Sequence, residues 1–235
     1  MTPTTVNIRA LKQSRNDLGT LNPVSSVPMP AAESRSDKKE RTRRAILDAA
    51  LRLTEETGLA GLSLRQVAKE VGIVPTAFYR HFASIDELGL ALVEESFGSL
   101  RAMIRDVRQG NPSLGRIVDS SVEVLAEHVR NEHAHFGFIA REKSGGSTVV
   151  RNAVRREFGF FERELATDLA RLPMDHWSGD DLRILSNLIV GSMINTAEEI
   201  LRADPRDLPD ITHRARTQLL MVIVGALNWK SAGND

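Results

Sequence analysis

The chain lacks cysteine altogether and holds a single tyrosine and two tryptophans in 235 residues. Without cysteine, disulfide scaffolds, zinc ribbons and thiol nucleophiles are excluded. No apolar run approaches the roughly 18 residues of a membrane span. The N-terminus has no continuous apolar core of a signal peptide. The expected setting is therefore cytoplasmic, with no membrane partner. Aromatics make up only 5 % of the chain, and strand-like alternation is absent. Net charge is missing too, because 31 Lys and Arg face 31 Asp and Glu. Taken alone, that zero argues against an anionic partner such as a nucleic acid.

The zero conceals a segregation. Residues 35–82 carry ten basic side chains against six acidic ones, whereas residues 83–235 carry 18 basic against 23 acidic. A basic N-terminal module thus precedes an acidic body, which raises the expectation of an anionic partner for the first part. Residues 1–34 are rich in Thr, Ser, Asn and Pro without helical or strand period, and read as a disordered tail. Met29, just before the first helical pattern, is an alternative start for the native chain.

From about Ser36 the sequence reads as helix after helix. Apolar residues recur at i, i+3, i+4 and i+7, as in Ile46, Ala49, Ala50 and Leu53. Ser63-x-x-Gln66 and Ser84-x-x-Glu87 are capping boxes, and Ser178-x-x-Asp181 is a weaker one. Gly58 and Gly72 suit left-handed helix ends. Gly110-Asn111-Pro112, Gly145-Gly146, Pro173 and Pro205 punctuate the remainder. The spacing predicts nine helices, over 37–57, 63–71, 75–81, 84–109, 113–131, 133–143, 147–172, 179–203 and 208–230. The fold class is all-α, with domains at 35–83 and 84–235.

The stretch Ser63–Phe82 is the most informative. A short capped helix with Leu64, Val67, Ala68 and Val71 inward is followed by a tight turn at Gly72. Pro75 then opens a second short helix. Ile73, Phe78 and Phe82 face the first helix, which is a helix-turn-helix pattern. The positions left outside are Thr76, Ala77, Tyr79, Arg80 and His81. A tyrosine hydroxyl can donate to a phosphate, and Thr76 and Ala77 can meet a thymine methyl or base edge. Arg65 and Gln66, with the basic arm Lys38, Lys39, Arg41, Arg43 and Arg44, are candidates for the flanking backbone. A solvated helical hairpin with an ordinary charged face is the plain alternative.

Further residues carry a resemblance. Thr42-Arg43-Arg44-x-Ile46-Leu47-x-Ala49-Ala50, Gly58, Ser63, Gln66-Val67-Ala68, Val71-Gly72, Phe78-Tyr79-x-His81-Phe82 and Asp86-Glu87-Leu88 together resemble the TetR family of bacterial transcriptional regulators. The resemblance covers about residues 40–92. It implies a three-helix DNA-binding head and a six-helix body that senses a ligand and dimerises on a palindromic operator in double-stranded DNA. Val74-Pro75 and Ile85 stand where the family usually has a Ser or Thr and a Lys, so those two phosphate contacts are not carried over. The strings Gly72–Phe82, Asp86–Leu90, Arg141–Gly146 and Ala153–Glu157 resemble the FabR/DesT-like branch, which represses unsaturated fatty-acid synthesis and acyl desaturase genes. The implied effector is a long-chain acyl thioester, acyl-CoA or acyl carrier protein. No cofactor is implied.

The body can also be read from its residues. Phe97, Leu100, Met103 and Ile104 stripe one helix, and Phe136, Phe138 and Ile139 another. Phe158, Phe161 and Leu165 follow, then Ile189 and Met193. These are candidates for an apolar ligand site, with ordinary bundle core as the alternative. Leu182, Leu185, Ile189 and Met193, with Leu219, Leu220, Val222, Ile223 and Leu227, make the last two helices candidates for a homodimer interface, with a purely intramolecular core as the alternative. The run Arg141–Gly146 reads as a plain basic connector, with contact to an acyl carrier's phosphates as the alternative. His128, His133 and His135 do not share a helical face as i, i+4 ligands would, so no metal site is expected. Glu198-Glu199 and Asp180-Asp181 form neither a Glu-x-x-His pattern nor a nucleophile elbow, so no enzyme is expected.

Overall fold

A computed structural model describes residues 34–109, 114–171 and 177–230. The tail expected over residues 1–34 lies, as far as residue 33, outside the described residues. The expected breaks at Gly110-Asn111-Pro112 and Pro173 lie outside them as well. Among the described residues there are nine α-helices and no strand. They are α1 (Arg35–Thr57), α2 (Leu64–Val71), α3 (Pro75–Phe78), α4 (Ile85–Gln109), α5 (Leu114–Asn131), α6 (His133–Glu142), α7 (Thr148–Leu169), α8 (Gly179–Arg202) and α9 (Leu208–Leu227). Residues 39–235 form one compact unit, and the first residues of α1 belong to the unit before it.

Local chemistry sets the boundaries. At α2, the Gln66 Oε1 accepts from the Ser63 backbone N–H at 3.1 Å. Ser84 Oγ accepts from the Glu87 N–H at 3.1 Å, while Glu87 reaches one residue further back, to the Ala83 N–H at 2.6 Å. Ser178 Oγ accepts from the Asp181 N–H at 3.1 Å. Each satisfies a donor that the first helical turn leaves without a partner. Gly72 ends α2 at φ 73°, ψ 28°, in the left-handed region a Schellman-type end requires.

Two details differ from the sequence pattern. The third helix, predicted over 75–81, closes after Phe78. Beyond it Arg80 N–H bonds to Ala77 O and His81 N–H to Phe78 O, so the backbone tightens into i→i+3 turns. A 3-10 turn at Leu59–Gly61 was not anticipated. Gly58 enters it at φ 65°, ψ 173°, a conformation essentially reserved for glycine.

One buried cluster runs through head and body. Ile46, Ala49, Ala50, Leu59, Val67, Phe78 and Phe82 of the head are continuous with Leu88, Leu92 and Phe97 of α4 and with Phe138, Val150 and Val154. In the body, α8 packs against α7, α9 and α5, and α4 packs against α5, α6 and α7. Gly89 makes part of this closeness possible. A Cβ there would stand 2.5 Å from Leu59 Cδ2 and 2.7 Å from Val150 Cγ2, so α4 has no room for a side chain where the head meets it.

Candidate nucleic-acid interface and ligand cavity

The head displays most of the face read from the sequence. Lys39, Arg41, Arg65, Gln66, Thr76, Tyr79 and Arg80 are exposed. Tyr79 is 58 % exposed, although its ring makes an edge contact with buried Phe78 at 6.1 Å between centroids. Phe78 and Phe82, 5.8 Å apart, anchor the segment from beneath. Their burial fixes which way the intervening side chains point.

Three of the nominated residues sit differently. Ala77, Arg43 and His81 are half-buried. The Arg43 guanidinium lies 4.4 Å over the Phe82 ring, a cation–π contact that joins α1 to the end of the reading segment. Arg43 therefore has a packing role beside any contact with phosphate. The His81 Nδ1 is buried with no hydrogen-bond partner among the described residues. Burial lowers the His81 pKa, and the positive charges of Lys39, Arg43 and Arg80 lower it further, against a smaller opposing effect of Glu40. The lowered pKa favours the neutral imidazole, which still carries one N–H to donate. One exposed residue beside this face was named only as a departure from the family pattern and not as a contact. Val74, at the turn before α3, is 64 % exposed.

The body holds a partly open cavity of about 770 Å³, bordered by α4, α5, α6, α7, α8 and α9. Its wall includes Leu100, Met103 and Ile104 of α4, and Phe136 and Ile139 of α6. It also includes Phe158, Phe161 and Leu165 of α7, and Ile189 and Met193 of α8. All of these were nominated from helical spacing. Phe97 and Phe138, also nominated, stand behind the wall. Phe97 is fully buried against Phe158 at 5.1 Å and Phe161 at 5.8 Å. Phe138 points away because α6 has two faces. Phe136, Ile139, Ala140 and Lys143 follow the i, i+3, i+4, i+7 pattern toward the cavity. Phe138 lies on the other side.

The spacing did not point to α5, which adds Val118, Ser121 and Leu125, nor to the charged wall residues Lys143, Glu164, Asp168 and Glu198. A charge on an amphipathic helix is ordinarily solvated, so nothing in the pattern distinguished these. Lys143 Nζ donates to Glu198 Oε1 at 2.5 Å, and Arg202 donates to Glu198 Oε2 at 3.2 Å. Burial raises the Glu198 pKa, but the hydrogen bonds and charges of Lys143 and Arg202 outweigh it, and the carboxyl titrates below its ordinary range. Arg141–Gly146 is accordingly not a plain connector, since Arg141 and Glu142 form the last turn of α6 and Lys143 pairs across to α8.

The outer surface of α8 and α9 carries a second apolar stripe. Ile184 and Leu188 on α8, with Leu220, Met221, Val224 and Leu227 on α9, are exposed. Of the residues nominated for an interface, Leu185 and Leu219 are buried, and Ile189, Met193 and Ile223 line the cavity. The wide apolar faces of these helices therefore serve two sides, and the exposed stripe lies mainly on neighbouring positions.

Two of the three histidines at the α5–α6 junction are hydrogen-bonded within the protein. His135 Nδ1 lies 3.0 Å from Ser96 Oγ, and His128 Nδ1 lies 3.0 Å from Val124 O. Among the described residues no three His, Asp or Glu gather as metal ligands, and no helix is long and apolar enough to cross a membrane.

Residues 46–92 match the model of bacterial regulatory proteins of the tetR family. The whole fold is similar to the fatty acid degradation regulator FadR from Bacillus halodurans. That match has a TM-score of 0.62 and 16 % identity, over 76 % of this chain and 94 % of that one. It is similar as well to the transcriptional regulator FadR from Bacillus subtilis in complex with stearoyl-CoA. Here the TM-score is 0.63 and the identity 17 %, over 77 % and 98 % of the two chains. A transcriptional regulator from Aquifex aeolicus matches at a TM-score of 0.57 and 22 % identity, over 77 % and 99 %. The matched family and these structures are regulators, not enzymes. At these identities the structures speak for the fold, and the family model speaks for the head. Residues 46–92 of the chain thus match the tetR-family model, within an all-helical fold like that of these regulators.

Proposed function

We propose that the chain is a sequence-specific, DNA-binding transcriptional repressor whose effector is a long-chain acyl thioester, acyl-CoA foremost and acyl carrier protein next. The observation that carries the reading is the pairing of two features in one chain. A basic face with Tyr79 and Arg65 exposed stands on a packed head, and an apolar cavity of about 770 Å³ lies in the body. That volume falls within the roughly 300–1,000 Å³ of ordinary ligand sites. The cavity wall is apolar almost throughout, which suits an acyl chain better than a sugar or nucleotide. The fold it shares with a regulator in complex with stearoyl-CoA supports the same class.

The working form is a homodimer in the cytoplasm. Ile184, Leu188, Met221 and Val224 offer an apolar surface for a second copy, and a palindromic operator needs two heads about one helical turn apart or a multiple of it. Ligand in the cavity shifts operator affinity only by binding the two head spacings with different free energy. The genes controlled are those of fatty-acid desaturation and of unsaturated or envelope lipid synthesis, a target that rests on the resemblance of residues 141–146 and 153–157. No membrane is a partner.

A second reading has an observation of its own. The wall is apolar on all six helices, which also suits another hydrophobic small molecule of the kind handled by efflux or catabolism regulators. A lipophilic cation is one such probe, although Glu198 is already paired with Lys143 and Arg202 and Asp168 with Arg171. Titration calorimetry separates the two. Palmitoyl-CoA binding with Kd below about 10 µM supports the thioester. Binding of a lipophilic quaternary ammonium, with none of any acyl-CoA, favours the cation. For DNA, selection from a random duplex pool followed by gel shift is expected to give a salt-sensitive, specific complex. No specific complex would sink the reading.

A further inference from the structure

We propose that Val74 is a specificity-determining residue of the head, and that its side chain meets the C5-methyl group of one thymine in each half of the operator. This rests on the reading of the head as a DNA-binding module, and it assigns a base contact to a side chain for which the packed head has no use.

A lone exposed apolar side chain is ordinary on any protein surface. The place of Val74 is not. It is the residue from which α3 starts, and a helix start favours Ser, Thr, Asp or Asn, whose side chains accept the first N–H groups. Elsewhere the chain follows that rule. Ser34, Ser84, Ser147 and Ser178 each accept from the N–H three residues on, at 3.1, 3.1, 3.3 and 3.1 Å. Val74 gives α3 no such bond, and valine is among the poorest residues at a cap. Burial offers nothing in exchange, because Val74 is 64 % exposed. The free head therefore forgoes a cap and leaves an apolar group in water. A local choice that works against the fold marks a position that serves something else.

The backbone holds this side chain out. Gly72 turns at φ 73°, and Ile73 then packs against the buried cluster that contains Phe78 and Phe82. Val74 is extended, at φ −73°, ψ 145°. Pro75 restricts the residue before it to that region. Neighbouring side chains of an extended segment point to opposite sides, so Ile73 inward puts Val74 outward. A β-branched side chain is also stiff at χ1. Contact with a partner consequently costs little ordering.

The chemistry of the face names the partner. Arg65, Gln66, Thr76, Tyr79 and Arg80 are exposed around it and suit phosphates and the polar edges of bases. An isopropyl group forms no hydrogen bond. Among the described residues of the head, only Val74 and Tyr79 are large, apolar and exposed, and Tyr79 carries a hydroxyl. The major groove has one apolar feature, the thymine methyl. The start of the second helix of a helix-turn-helix is the part that reaches base edges there.

The test uses the full chain and an operator selected from a random duplex pool. Each thymine is replaced in turn by deoxyuridine, in both half-sites together, which removes only the methyl group. Binding by wild type, Val74→Ser and Val74→Ile is read by fluorescence anisotropy. Wild type is expected to lose about tenfold at one thymine position through the loss of two methyl contacts. Val74→Ser should lose nothing at that position and respond like wild type at every other thymine. Val74→Ile keeps a branched apolar surface and should keep the preference. Val74→Ser also regains a cap, so it should melt no lower than wild type. The assignment is overturned if no thymine loses its methyl effect in Val74→Ser. That includes uniformly weaker binding to every operator, as a contact with the sugar–phosphate backbone would give. A clearly lower melting temperature for Val74→Ser overturns it too, since Val74 would then serve the fold. If wild type forms no specific complex with any duplex, the DNA reading itself fails and the assignment falls with it.

Discussion

The head and the body are built from the same apolar periodicity and reach opposite ends. In the head, Ile46, Val67, Phe78 and Phe82 are buried together in one cluster. In the body, six helices with equally regular stripes stand apart around about 770 Å³. Periodicity tells which side of a helix avoids water. It does not tell whether that side meets protein or waits for something else.

The comparison can be broken most forcefully at its packed end. Phe82→Ala should cost about 3–5 kcal/mol by chemical denaturation, because the site is closed and Arg43 loses its seat. Met193→Ala in the cavity wall should cost less than about half of that, since its side chain already borders open volume. Equal losses would mean that the two regions are packed alike. Next comes the seam between them. Gly89→Ala gains about 1 kcal/mol in helix propensity but drives a methyl group onto buried Leu59 and Val150, an overpacking cost of about 1–3 kcal/mol. A net loss of stability is expected in the melting curve, and a net gain would show that the head yields there.

Smaller effects sharpen the picture of the reading face. Tyr79→Phe removes one exposed hydroxyl and should weaken operator binding by roughly tenfold, or about 1.4 kcal/mol, with the melting curve unchanged. Normal binding would mean that the face is misassigned. The smallest expected effect is that of pH. The His81 pKa is lower folded than unfolded, so the unfolded chain takes up its proton first as pH falls. The stabilisation is complete above the unfolded pKa of about 6.5 and is lost as pH drops from there toward the folded value. His81→Gln should flatten this part of the stability profile, and an unaltered slope would assign it to other groups.

Much of this was legible in the residues. Ser63, Gly72, Pro75 and the Phe78–Phe82 pair announced the helix-turn-helix, because capping, turn and core chemistry are local. Helical spacing nominated Phe136 and Ile139, which border the cavity, together with Phe138, which does not, since an apolar residue on the second face of α6 looks identical in sequence. The end of α3 was overextended because Tyr79, Arg80 and His81 do not oppose a helix; the i→i+3 turns there are imposed by tertiary closure. Arg141 and Glu142 were passed over as part of a connector. Their partners, Thr54 and Leu59, lie more than 80 residues away, and a backbone carbonyl or amide leaves no trace in sequence as a partner. Glu198 was invisible as a cavity residue for a similar reason, since its pairing with Lys143 is purely spatial.

One titration bears on the central claim most directly. The operator fragment is held at fixed concentration with the full-length protein, and palmitoyl-CoA is added while the bound fraction is read by fluorescence anisotropy. The account predicts a saturable change of operator affinity of about tenfold or more in one direction, within the roughly 5–150-fold range of coupled sites. Saturation should match the Kd measured for palmitoyl-CoA without DNA. An operator affinity that stays constant while the cavity fills would contradict it.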